Sequence, residues 1–195
     1  MTNKKVDFID KHYIMKLTRT DFTKNIVRIN SLHFNKWIFE PGMLFMSGSK
    51  WWGDKGDRTE RHNGLDLFRY EAADGTYKTI DVDTKVPIIY EGRIVRCIKD
   101  FLGYSLFAVH DIHEGDLQLF LIYGHVLQAP GISIGHHVDE GAVIASLSKN
   151  SGAVVPGHIH ISVVLIPKTI PIEALSWTVL NEADNVRFLD PAIIL

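Results

Sequence analysis

The chain has 195 residues, 46% of them hydrophobic, which is enough for one well-buried core. Its formal net charge of -2 gives no basic field, so the composition argues against nucleic acid as a partner. The single cysteine, Cys97, cannot form a disulfide within the chain, and no stretch approaches the roughly 20 apolar residues that cross a bilayer. Acidic residues interrupt the apolar residues near the amino terminus, so we expect no export signal in this chain.

Residues 1–42 mix charged residues with isolated aromatic residues, and their periodicity does not separate strand from loop. We predict that this stretch is an arm that packs on the domain outside its core, and that the domain runs over residues 43–195. The polar, glycine-bearing segment 51–61 is predicted to be a loop. Its tryptophans, Trp51 and Trp52, either stack along the rim of a groove or anchor the loop in the core.

Short apolar segments separated by turn residues predict strands through most of the chain. These segments are 43–46, 78–82, 87–90, 92–98, 104–110, 117–125, 142–147 and 156–166. Such spacing, with few helical windows, is typical of a mainly β fold, and we predict a single domain built as an antiparallel β-sandwich or barrel-like sheet with a groove. The best helix candidate is 172–180, after Pro171, which would form a short C-terminal helix.

The last predicted strand carries two histidines, His158 and His160, at its start. Side chains two apart in a strand point to the same face, roughly 7 Å apart, so both imidazoles face one side while Ile159 and Ile161 face the other. Two imidazoles in this position can bind one metal together, or one can bind while its neighbour handles protons. A solvent-facing pair of histidines at a strand end is the alternative.

Two other segments carry side chains suited to metal binding or proton transfer. His62 and Asp66 stand where a loop is predicted to enter a short strand, and Tyr123-Gly124-His125 stands at a strand end. In an all-β fold such ends can converge on one groove. A catalytic zinc ion takes three protein ligands and leaves the fourth position to water. His62, Asp66 and one histidine of the His-x-His pair would make that set, with the other histidine and His125 beside the water.

In this order, the three motifs resemble those of the M23 family of zinc metallopeptidases, the lysostaphin and LytM type of cell-wall endopeptidase. The segments 87–94 and 135–144 and the dipeptide Asp190-Pro191 are similar to further parts of the family pattern. The sequence has no HExxH motif, so a site of the thermolysin type is excluded at the level of motifs.

The resemblance implies that His62, Asp66 and His160 are the zinc ligands and that His125 and His158 are the catalytic histidines. It implies a Zn²⁺ cofactor, a peptide substrate, and hydrolysis of peptide bonds in bacterial peptidoglycan cross-links. Zinc lowers the pKa of its water from about 15.7 toward 7 in such sites, and a neighbouring imidazole takes the proton. The resemblance suggests a location in the cell envelope, whereas the expected lack of an export signal keeps a cytoplasmic location open.

Two alternatives to an enzyme remain at this point. The first is a non-catalytic relative that uses the groove to bind a cell-wall peptide or a partner protein; such relatives usually lack ligands, whereas all five residues are present here. The second is a structural zinc site, which a fourth protein ligand would close. We expect the histidines at the next strand end, His110 and His113, to be solvated, although His110 could border the groove.

Overall fold

The computed structural model describes residues 17–149 and 155–195; residues 1–16 of the predicted arm and residues 150–154 lie outside the described residues. Antiparallel strands make up most of the described regular structure. In chain order they are β1 (Phe34–Ile38), β2 (Leu65–Leu67), β3 (Arg69–Ala72), β4 (Tyr77–Thr79), β5 (Lys85–Pro87), β6 (Gly92–Lys99), β7 (Tyr104–Glu114), β8 (Leu117–Gln128), β9 (His137–Val138), β10 (Val143–Leu147), β11 (Ile159–Pro167) and β12 (Arg187–Leu189).

Helices are few and short in the described part of the chain. The α-helices are α1 (Phe22–Ile29) and α2 (Trp177–Glu182), and 3-10 turns lie at Pro41–Met43, Ile172–Ala174 and Pro191–Ile193. The mainly β fold and the short C-terminal helix are therefore confirmed, and no sheet of the described residues closes into a barrel. Neither α1 nor α2 has the length and apolar character that would span a bilayer.

The strands form a small sheet and a large one. The small sheet has the order β1-β3-β4, and the large one has the order β12-β11-β8-β7-β6-β9. Three further pairings extend the large sheet: β2 pairs with β11, and β10 pairs with both β8 and β5. Along the same edge of β11, β2 pairs with residues 159–161 and β12 pairs with residues 163–165. The pairing with β2 brings the segment after residue 62 next to the His-x-His strand.

Strand β11 is buried on both faces, which explains its nearly continuous run of β-branched residues. Ile159 and Ile161 pack in the main core, on the face that the His-x-His spacing predicts for them. Val164 and Ile166 face the other way and belong to a second apolar cluster that includes Leu180 of α2. The site described below lies on this second face.

The prediction that the arm lies outside the core is wrong for its described part. Phe22 and Ile26 are almost completely buried in the main core, because α1 presents residues four apart on one face. This two-residue pattern is too short to stand out in the sequence. The division of the chain at residue 42 stays a prediction.

Some local predictions also need correction. The strand predicted over residues 43–46 is absent: Met43 ends a 3-10 turn that Pro41 opens, and residues 44–46 form a bend and a turn. Met43 is buried, and Gly42 packs against the backbone of Trp51. The strand predicted over residues 104–110 is longer, because β7 continues to Glu114 and the chain reverses at Gly115 and Asp116. In the second segment, the register of the hairpin between β7 and β8 decides where the chain turns.

Candidate metal centre

The register of three strands places the central residues of the site side by side. His160 of β11 lies opposite Asp66 of β2 on one side and opposite Gly124 of β8 on the other. Residues that lie directly opposite each other in antiparallel strands point to the same face. A methyl group on Gly124 would lie 3.1 Å from the Cβ of His160, so the glycine gives the imidazole its space.

His62 reaches the same place from the loop before β2. Its Nδ1–H donates a hydrogen bond of 3.0 Å to the carbonyl of Leu44, which leaves the lone pair of Nε2 facing the site. Gly64 makes this close approach possible. A Cβ there would lie 2.5 Å from Nε2 of His160 and would also overlap the carbonyl of Ile161.

The three residues present their ligand atoms to one point. Nε2 of His62 lies 3.1 Å from Oδ1 of Asp66, and Nδ1 of His160 lies 2.9 Å from the same oxygen. The two ring nitrogens are 3.1 Å apart. One ligand atom from each residue lies within 4.8 Å of the others, and all three residues are buried. Among the described residues this is the cluster that could hold a metal ion.

The donor set fits zinc by its chemistry and by its surroundings. Two imidazole nitrogens and one carboxylate are ligands that zinc takes in sites with an open position. The far nitrogen of each ring has a partner, since Nε2 of His160 lies 2.8 Å from Oγ of Ser162 and Nδ1 of His62 is held by Leu44. Such outer partners orient ligands in metal sites.

Burial and pairing also set suitable charge states. Burial lowers the pKa of His160 to about 4, so its imidazole is neutral and can act as a ligand at neutral pH. Burial opposes ionisation of Asp66, but the nearby imidazole of His158 and the hydrogen bonds of His160 and His62 outweigh it and hold the pKa of Asp66 well below its usual value. At neutral pH the set therefore includes a carboxylate on Asp66 and a neutral imidazole on His160.

His125 enters the groove because the backbone leaves the regular strand geometry at this residue. In an alternating strand, His125 would face away from Gly124, but its φ of 66° interrupts the alternation. Asp100 holds this conformation, as its Oδ2 accepts the backbone N–H of His125 at 3.0 Å and lies 3.2 Å from Nδ1 of the ring. Burial would raise the pKa of Asp100, but the contacts with His125 lower it below its usual value.

His158 completes the group at the start of β11. Its Nδ1–H donates to the carbonyl of Pro156 at 2.8 Å, and its Nε2 lies 3.5 Å from Oδ1 of Asp66. Its ring centroid is 4.7 Å from that of His125, and Trp52 stacks on its other side. Burial lowers the pKa of His158, so this imidazole is neutral at neutral pH.

These side chains line an open groove of about 540 Å³. Aromatic residues border it: Phe101 is exposed and packs its ring 4.7 Å from that of His125, and Trp177 lies 5.8 Å from the ring of His160. Charged side chains of both signs, including Arg61 and Glu60, line the outer part. The groove predicted from the sequence is present, and His62, His125, His158 and His160 are among the residues that line it.

All five residues singled out in the sequence meet in this groove, while their separate roles stay predictions. The sequence did not predict the contacts that support these five residues, which come from Trp51, Asp100, Ser162, Gly64 and Gly124. Ser162 had a signal, since it lies two residues after His160 on the same strand face; Asp100 had none, because its link to His125 depends on the loop between β6 and β7.

One expectation about the remaining histidines is wrong. His110 is not solvated: it is buried, and its Nδ1–H donates to the carbonyl of Glu91 at 2.8 Å. It does not line the groove. His113 keeps a partly exposed ring, 3.0 Å from the carboxylate of Asp111.

No protein-family model matches the sequence, and no curated protein sequence matches it either. Among solved structures, the chain is similar to lysostaphin, with 16% identity and a TM-score of 0.44. The match covers 73% of this chain and 48% of lysostaphin, so this chain spans about half the length of lysostaphin. For LytU the identity is 17%, the TM-score 0.44, and the coverage 73% of this chain and 86% of that one.

A third similar structure is the catalytic domain of the prophage-encoded M23 protein EnpA from Enterococcus faecalis. Its identity is 17% and its TM-score 0.39, over 65% of this chain and 83% of that one. Because these TM-scores are below 0.5, the residues of the groove have to carry the functional proposal. The resemblance to the M23 family therefore rests on the sequence motifs, whose residues meet in the groove.

Proposed function

We propose that this chain is a zinc-dependent endopeptidase that hydrolyses peptide bonds, with bacterial cell-wall peptidoglycan cross-links as the substrate. The observation that supports this best is the meeting of His62, Asp66 and His160 within 4.8 Å, beside two further imidazoles in an open groove. The M23-type order of the sequence motifs supports peptidoglycan as the substrate.

In this proposal, His62, Asp66 and His160 hold the zinc ion, which when bound supplies a Lewis acid and a water of lowered pKa. The groove holds the peptide in an extended form across these residues. His158 is the proton acceptor, because its Nδ1–H is engaged by Pro156 and its neutral ring keeps the Nε2 lone pair on the groove side.

His125 has the complementary role. The Asp100 carboxylate lies 3.2 Å from Nδ1 and orients this imidazole in the groove. An N–H of this imidazole offsets the negative charge that develops on the carbonyl oxygen of the scissile peptide and can donate a proton to the leaving amine. In this proposal, His158 accepts a proton and His125 donates one.

The test is metal analysis together with a peptidoglycan assay. Protein purified without added metal is expected to contain about one zinc per chain and to release new amino groups from purified peptidoglycan. His160→Ala should lose most of the zinc, while His113→Ala, at a histidine outside the groove, should keep it.

Each outcome has a consequence. Zinc without amine release would move the function to a binding module or to another peptide substrate. A wild-type chain that neither contains nor takes up zinc would contradict the proposal, and full zinc content in His160→Ala would contradict the ligand assignment.

A further inference from the structure

The two oxygens of the Asp66 carboxylate are both buried, but they face different groups. Oδ1 lies 2.9 Å from Nδ1 of His160 and 3.1 Å from Nε2 of His62. Oδ2 accepts a hydrogen bond of 2.7 Å from the indole Nε1–H of Trp51 and lies 3.7 Å from a guanidinium nitrogen of Arg58. One oxygen therefore faces ligand nitrogens, and the other faces only N–H donors.

We propose that Trp51 is a positioning residue whose indole N–H reserves Oδ2 of Asp66, so that Asp66 binds the metal through Oδ1 alone. This inference rests on the proposed function, because it requires Asp66 to be a zinc ligand. An indole N–H can donate but cannot accept or bind a metal. The carboxylate then uses one coordination position, which keeps the fourth position free for water.

The surroundings of Trp51 hold the indole firmly in this orientation. Its ring packs 5.0 Å from the ring of Phe68 and 5.1 Å, edge to face, from that of His158. Its backbone lies so close to Gly42 that a Cβ there would be 2.6 Å from the nitrogen of Trp51. A donor fixed on three sides can select one carboxylate oxygen, whereas a mobile donor could not.

Arg58 supports the same oxygen from the outer side. Its guanidinium donates to the carbonyls of Ser49 and Gly42, at 3.1 Å each, and lies 4.5 Å above the ring of Trp52. The positive charge is therefore held near Oδ2 and cannot move to Oδ1. Trp51 and Arg58 both belong to the loop predicted over residues 51–61. The sequence left open whether its tryptophans line the rim of the groove or anchor the loop in the core. In the structure, Trp51 contacts Asp66 directly.

The test compares Trp51→Phe with Trp37→Phe. Both changes remove an indole N–H that donates to an oxygen, but Trp37 donates to Thr23 from the small sheet, which holds none of the site residues. Zinc affinity is measured by competition with a chromophoric chelator. Visible absorption of the Co²⁺-substituted protein reports the coordination number, because four-coordinate Co²⁺ absorbs more strongly than five-coordinate Co²⁺.

We expect Trp51→Phe to bind zinc about 10 to 100-fold more weakly, and its Co²⁺ form to absorb less as Asp66 becomes bidentate. Trp37→Phe should match the wild type in both measurements. A Trp51→Phe protein with wild-type zinc affinity and a wild-type Co²⁺ spectrum would overturn the inference about Trp51. The proposed function would still stand in that case, as long as the wild type binds zinc. A wild type without zinc affinity would overturn both.

A second variant covers the case in which Trp51→Phe does not fold. Arg58→Gln removes the cation near Oδ2 from a side chain at the edge of the groove, and folding of the metal-free form is followed by thermal unfolding. A smaller loss of zinc affinity in the same direction supports the inference. Unchanged affinity with an unchanged Co²⁺ spectrum in this variant would contradict it.

Discussion

Gly64 and Gly124 determine how closely the neighbouring strands can approach the imidazole of His160. Neither has a positive φ, so the need for glycine comes from space and not from backbone conformation. A side chain at Gly64 would overlap both the ring of His160 and the backbone of β11. Gly64 stands between His62 and Asp66 in the sequence, but the need for a glycine there becomes visible only when β2 and β11 are paired.

Gly64→Ala is expected to destabilise the protein by roughly 1–3 kcal/mol and to weaken zinc binding at least about tenfold, because the new Cβ would lie 2.5 Å from Nε2 of His160. Urea denaturation and chelator competition measure the two effects. Gly48→Ala is the matched control, since a Cβ there meets no atom within 4 Å. Wild-type zinc affinity in Gly64→Ala would mean that β2 can move away without disturbing His160.

His125 is expected to separate metal binding from turnover. His125→Ala should keep its zinc, because the ring is not among the three clustered ligands, and should lower kcat by about 10²-fold or more through loss of the proton donor. Zinc content tests whether the metal is retained, and amine release from peptidoglycan tests whether turnover is lost. His113→Ala serves as the control, and equal turnover in both variants would make His125 a bystander.

At the scale of elements, β11 and α2 together build the inner wall of the groove. β11 sends one face into the main core and places His160 and Ser162 on the other, followed by Val164 in the second cluster. α2 covers this second cluster with Leu180 and begins at Trp177, whose Nε1–H donates to Ser105 at 2.9 Å. These two elements line the groove together with the loop segment 57–63 and the loop residues Asp100 and Phe101.

The helix depends on its amino-terminal cap. Oγ of Ser176 accepts the backbone N–H of Val179 at 3.2 Å, so Ser176→Ala should cost about 1 kcal/mol of stability. Thr178→Ala, at an exposed position of the same helix, should stay within about 0.5 kcal/mol of the wild type. Urea denaturation of metal-free protein measures both. Equal stability of the two variants would show that packing alone holds α2.

At the scale of the whole molecule, a buried histidine far from the ligands makes stability depend on pH. Burial lowers the pKa of His110 from 6.5 to about 4, and its Nε2 has no hydrogen-bond partner among the described residues. Below pH 6.5 the unfolded chain binds a proton that the folded chain excludes until about pH 4. Stability is therefore retained above pH 6.5 and is lost as the pH falls toward 4.

For His110 alone this loss amounts to about 2 kcal/mol between pH 7 and pH 5. His110→Asn should remove this part of the pH dependence while keeping an amide donor for the carbonyl of Glu91. Urea denaturation at the two pH values, on metal-free protein so that zinc release does not contribute, measures it. His113→Asn should keep the wild-type dependence, and a His110→Asn protein that also keeps it would contradict the prediction.

Much of the fold and of the candidate site was predictable because local patterns carry it. The apolar segments separated by turns predicted the long strands, and the spacing of His158 and His160 predicted their common face. The helix α1 was not predictable, since its two core residues make too short a pattern. Asp100 and Trp51 were not predictable as partners of His125 and Asp66, because loops bring them there.

The sequence by itself determined the mainly β class and the five residues that meet in the groove. Strand alternation and residue chemistry are properties of neighbours in the chain, so they can be read from it directly. Only the tertiary structure decided that β2 pairs with β11 opposite His160, that φ of His125 is positive, and that Trp51 occupies one oxygen of Asp66. These features depend on contacts between segments far apart in the chain, whose register no local pattern specifies.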